Sequence, residues 1–128
     1  SSVRAGNDGW TDQMSNLTLL ERRIIAAEKL GEAWAELHAT WLQLDDAKKN
    51  VLAGLMNDLD DGEKSEAKLE RLARGAKEYK DYCTNLALAK GQELRAKVKY
   101  ECARDYFEAG RSAEATERAK ITHLNHIP

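Results

Sequence analysis

A chain of 128 residues with a formal charge of −2 is short for two comfortable domains and has no global attraction for nucleic acid or an anionic membrane. Its 42% hydrophobic and 33% charged residues, single proline and few aromatics suit long helices rather than strands. No apolar run approaches the roughly 18 residues of a membrane span and no signal-peptide pattern is seen, so no membrane contact and a cytoplasmic location are expected.

The charge is uneven. Residues 1–64 carry 7 basic and 12 acidic side chains, net −5, while residues 65–128 carry 13 and 10, net +3. Cys83 and Cys102 fall in one expected helix, roughly 28 Å apart at about 1.5 Å per residue, too far to bridge within a chain, which fits a reducing compartment.

In chain order, SSVRAGNDGWTDQ lacks periodicity, contains the turn pair Asp8-Gly9 and runs into Met14-Ser15. Residues 1–15 are therefore expected to be a disordered tail or a vector-derived segment, with Trp10 an idle aromatic, and residues 16–128 a single helical domain. Thr18-Leu19-Leu20-Glu21 forms a capping-box pattern that starts a helix over about 17–60. Leu20, Ile24, Ala27, Leu30, Trp34, Leu37, Trp41, Leu44, Lys48, Val51, Leu55 and Leu59 follow steps of three and four, so one stripe faces one partner, broken only by Lys48.

Asp60-Asp61-Gly62 supplies a glycine for a left-handed stop, and Ser65-Glu66 restarts the chain with an N-cap and an acid in the first turn. So short a connection makes a second helix, about 66–109, antiparallel to the first. Its stripe reads Leu69, Leu72, Ala76, Tyr79, Cys83, Leu86, then Ala87, Gly91, Leu94, Val98, Cys102 and Tyr106, a heptad that loosens into steps of four. Gly110 and Ser112 read as a stop and a new cap, giving a short helix over about 113–124.

The expected fold is all-α, a coiled-coil-like hairpin of two long antiparallel helices plus a short C-terminal helix. Leu19, Ile25, Leu42, Leu52, Met56 and Leu88 lie off the seam and need cover, so the hairpin is expected to form a homodimer in a four-helix arrangement. The core or oligomer face is assigned to Trp34, Leu37, Trp41, Leu44, Leu55, Leu94 and Val98.

Chemistry is sparse. Aligning Gly62 with the glycine of an EF-hand loop puts Leu59 and Lys68 where oxygen ligands belong. His123 and His126 stand three apart without a third ligand. His38, beside the tryptophan stripe, reads as a hydrogen-bonded boundary histidine. No catalytic residue, metal or cofactor is expected.

Lys90, Arg95, Lys97, Lys99 and Arg104 against Glu93 and Glu101 make the most basic stretch, net +3, suited to weak phosphate contact without sequence readout. Tyr100, Tyr106 and Phe107 stand near it for base stacking. An ordinary helix surface paired with the acidic first helix explains the same residues.

Glu78-Tyr-Lys-Asp81 and the segment AEKLGEAWAE together resemble the E-x-x-D and E-x-x-E motifs of all-α nucleoside triphosphate pyrophosphohydrolases of the MazG kind. That resemblance implies magnesium held against a triphosphate. Glu28, Glu32 and Glu36 depart from the family by standing four apart, as a solvated helix face would. The segment YFEAGRSAEATERAK looks like the tails of small helical proteins of phage and mobile-element DNA metabolism.

The leading expectation is a non-enzymatic helical interaction or assembly protein, such as a phage or bacterial accessory factor, with an unidentified protein partner. A nucleic-acid-associated accessory protein and a magnesium-dependent hydrolase are the alternatives.

Overall fold

The computed structural model describes residues 16–126, so the expectations for residues 1–15 lie outside the described residues. Three helices follow in order: α1, Leu19–Leu59; α2, Glu66–Gly75; and α3, Lys77–Asn125. The two long helices pack against each other as an all-α hairpin, and among the described residues no helix is long and apolar enough to cross a membrane.

The capping residues act as their types dictate. Thr18 Oγ1 accepts the Glu21 N–H at 3.1 Å, and Ser65 Oγ accepts the Lys68 N–H at 3.2 Å, each meeting a donor that the first turn leaves orphaned. Between α1 and α2, Asp60 and Asp61 accept the N–H groups of Gly62 and Glu63, and Gly62 takes φ +84°, a conformation that costs a glycine nothing. Lys64 offsets the acidic end of α1 by bonding Asp61 at 2.6 Å and the Leu59 carbonyl at 3.4 Å.

Two boundaries differ from expectation. The second helix is interrupted at Ala76, whose extended backbone (φ −68°, ψ 145°) ends α2 through a bond to the Ala73 carbonyl, while its own carbonyl accepts the first bond of α3 from Lys80. The apolar spacing Leu72, Ala76, Tyr79 passes smoothly across this break and so conceals it. At Gly110 the expected break is absent and α3 runs on for 49 residues. One glycine costs about 1 kcal/mol against alanine, small beside the bonds of so long a helix. The space a Cβ would occupy there is filled by the Arg23 guanidinium and Leu20.

The chain divides into two compact units, each holding part of both long helices. The first combines the described residues up to Glu32 with those from Lys97 onward. In it Ala27 is buried, Leu20, Leu30, Ala103 and Phe107 are half-buried, and Gly31 lets the Tyr100 ring approach within about 3 Å of the position a Cβ would take. The Arg23 guanidinium lies 3.8 Å above the Tyr106 ring, and every described residue from Arg111 to His126 is exposed.

The second unit, residues 33–96, combines the rest of α1, all of α2 and the start of α3. Its deepest apolar side chains are Leu69, Ala73 and Tyr79, with Ala73 wholly buried. Trp34, Leu37, Trp41, Leu44, Lys48, Val51 and Leu55 are half-buried along α1, and the Tyr82 hydroxyl donates to the Leu44 carbonyl.

The seam of α3 is not the expected one. A line of buried and half-buried positions runs Tyr79, Tyr82, Leu86, Ala89, Glu93, Ala96, Tyr100, Ala103, Phe107 and Gly110, an unbroken alternation of three and four. The expected loosening after Leu86 does not occur. Leu94 and Val98, assigned above to the core or oligomer face, are 46% and 58% exposed and lie on the other side of the helix. Ile25, Leu52 and Met56 are already half-buried within the chain, so much of the apolar excess on α1 that suggested dimerisation is covered.

Candidate functional site

The middle of the α3 seam holds a carboxylate where a coiled coil would place an aliphatic side chain. Glu93 is 2% exposed. Its Oε1 accepts from Trp34 Nε1–H at 2.9 Å and meets His38 Nδ1 at 3.0 Å, while the Lys90 ammonium stands 3.2 Å from Oε2. The Trp34 bond, followed by those of His38 and Lys90, outweighs burial and lowers the Glu93 pKa from 4.5 to about 2. An ionised carboxylate can only accept, so His38 carries its proton on Nδ1 toward Glu93.

Local geometry converges these groups. Trp34, His38 and Trp41 are four and three residues apart on α1, so their side chains share one face, with His38 ring centroids 6.1 and 5.9 Å from those of the tryptophans. Lys90 precedes Glu93 by three residues on α3, and its ammonium also sits 3.7 Å from the Trp41 ring centroid, a cation–π contact. The cluster is a buried polar layer in which Oε1 is hydrogen-bonded while Oε2 has only the Lys90 ammonium beside it, and it fixes which residues of the two helices meet. His38 is the hydrogen-bonded boundary histidine expected from the sequence, though the partner that holds it was not legible there.

This geometry takes the basic stretch apart. Lys90 is engaged with Glu93 and Trp41, Lys97 pairs with Glu101 at 4.0 Å, and Arg104 lies 3.4 Å from Asp105. Arg95 and Lys99 are exposed, but at about 100° per residue they stand on a different side of α3 from Lys90, Lys97 and Arg104. The five charges therefore form no single track for a phosphate backbone. Glu28, Glu32, Glu36, Glu78 and Asp81 are all exposed, and among the described residues no group of three or more His, Cys, Asp or Glu could hold a metal ion. Two shallow depressions, of about 340 and 600 Å³, flank Leu20 in the first unit. Arg111 and Arg118 line one, and Phe107 and Ile24 line the other.

What remains is the outward side of α3. Ala87, Leu94, Val98, Cys102 and Ala109 are exposed and Gly91 half-exposed, at steps of three and four, diametrically opposite the seam. Asp105 is the one charged residue in this stripe between Thr84 and Ser112. No protein-family model, curated protein or solved structure matches the chain.

Proposed function

We propose that the protein is a non-enzymatic helical interaction or assembly module whose docking surface is the outward face of α3. The observation that carries this reading is the chemistry of that face. A helix that faces water opposite its seam normally presents Lys, Glu, Arg and Asp there, whereas this one presents Leu94 and Val98 among Ala, Gly, Cys, Thr and Ser, with Asp105 its one charge, for some eight turns. Small residues permit close approach of a second helix, and the two larger ones supply apolar area. The Glu93 layer supports the reading by holding the inner side of the same helix in one register.

The test is chemical cross-linking in the native host, comparing the wild type with a Leu94→Glu/Val98→Glu variant. Both substitutions lie away from the seam, so helicity by circular dichroism should be unchanged while the cross-linked complexes disappear. Complexes that survive in the variant would overturn the reading. So would magnesium-dependent pyrophosphate release from a nucleoside triphosphate that is lost on Asp81→Ala, which would install the hydrolase in its place.

A further inference from the structure

The Glu93 carboxylate meets only one nitrogen of the His38 ring. We propose that His38 is a phosphoryl-accepting residue, its Nε2 attacking an N–P phosphoryl donor while Glu93 holds Nδ1 and balances the charge that develops on the ring. This goes beyond the docking reading and does not depend on it. All the groups involved lie in the second unit. Nδ1–H is committed to Oε1 at 3.0 Å, so the lone pair of the neutral ring sits on Nε2, which is turned away from the carboxylate and has no hydrogen-bond partner among the described residues. The His38 side chain is 42% exposed and stands between two indoles that restrict its rotation. A fixed tautomer, a free lone pair and access from solvent thus come together at one atom. His123 and His126 are exposed too, but among the described residues no carboxylate bonds either ring.

In the transfer, the Nε2 lone pair forms a bond to phosphorus, and the donor's P–N bond breaks with its electrons leaving on the amine, as ammonia when phosphoramidate is the donor. Nδ1 keeps its proton, so the phosphorylated ring carries one positive charge. That charge develops 3.0 Å from a carboxylate that is buried and ionised at neutral pH, where water screens the attraction little. A carboxylate behind an imidazole fixes the tautomer and stabilises the cationic ring without taking its proton. Lys90 favours an anionic electrophile over a neutral one. Its ammonium stands 3.2 Å from Oε2 of the same carboxylate, and its side chain is half-exposed. With three protons it can keep both Glu93 and the Trp41 ring and still offer one to a phosphoryl oxygen.

The experiment treats the full chain with phosphoramidate at neutral pH and reads the rate at each histidine by mass spectrometry of peptides kept from acid, which cleaves the N–P bond. In the wild type His38 should gain the phosphoryl group about tenfold faster than His123 or His126, and the preference should vanish in urea. Glu93→Gln, with helicity by circular dichroism unchanged, should bring His38 down to the rate of the other two histidines and leave theirs as they were. Lys90→Met should slow phosphorylation of His38 without slowing its carbethoxylation by diethyl pyrocarbonate, which is uncharged. Equal rates at the three histidines of the wild type, or a His38 preference that survives urea, would overturn the proposal, and neither comparison needs a variant to fold. So would a preference undiminished in Glu93→Gln, while a Lys90→Met variant that slows both reagents alike would overturn the choice of a phosphoryl donor.

Discussion

Gly31 and Gly54 both sit inside α1, and replacing each by alanine separates helix propensity from steric fit. At Gly54, which is exposed with no atom within 4 Å of the position of an added Cβ, alanine should stabilise the protein by about 1 kcal/mol. At Gly31 the same gain is opposed. The added Cβ would lie 3.0 and 3.1 Å from Cε1 and Cδ1 of Tyr100, so the half-buried ring must retreat by several tenths of an ångström. Displacing a packed ring takes back about the propensity gain or more, and Gly31→Ala should come out neutral to about 1 kcal/mol destabilising. The gap between the two variants is then about 1–2 kcal/mol, or several degrees in Tm for a chain of this size. Urea denaturation of the two single variants, and of Gly31→Ala in a Tyr100→Ala background, measures it. Removing the ring should restore the full gain at residue 31, a coupling of about 1–2 kcal/mol. Equal stabilisation at both glycines in the wild-type background would refute the close approach of α1 and Tyr100.

Acid should act on the Glu93 layer with a definite sign. Because folding lowers its pKa from 4.5 to about 2, the stability it contributes is complete above pH 4.5 and is lost as pH falls through about 2. The difference in urea midpoint between wild type and Glu93→Gln should narrow across that window, and parallel curves would sink the assignment. Trp34→Ala should cost about 3 kcal/mol, the low end for a tryptophan since the ring is half-buried, and a loss below 1 kcal/mol on the same assay would contradict its place in the seam. Ala73→Leu should overpack the wholly buried site between α2 and its neighbours by about 1–3 kcal/mol, read as a lower thermal midpoint; an unchanged midpoint would mean that the site has room.

The first helix was legible because its seam is written in Leu, Trp and Val, side chains whose spacing alone marks a buried face. The third was half legible. Its seam passes through Ala89, Glu93 and Ala96, where two alanines give a weak signal and a glutamate reads as solvent-facing, while Leu94 and Val98, on the opposite side of the helix, draw the apolar stripe away from it. Glu93 announces itself only once Trp34 and His38 are known to lie opposite, a pairing across about sixty residues that no local pattern contains. The interruption at Ala76 was hidden for the opposite reason, since the apolar spacing continues across it unbroken.

The order of pairing along the hairpin has a kinetic corollary. The Tyr82–Leu44 bond closes a separation of 38 residues, and the Trp34–Glu93 bond one of 59. If each formed independently, the extra loop entropy of the longer closure would be only about 0.4 kcal/mol, too little to impose a sequence of events. Each closure made next to the connection, however, leaves the following pair only one helical turn from contact, so helix pairing should advance as a zipper from the Asp60–Ser65 connection toward the chain ends. The Glu93 layer then serves as a checkpoint partway along. A hairpin zipped one turn out of step would bury that carboxylate against aliphatic side chains and stall there, and in native hydrogen exchange the amides of Tyr79 to Leu86 should outlast those of Ala103 to Gly110.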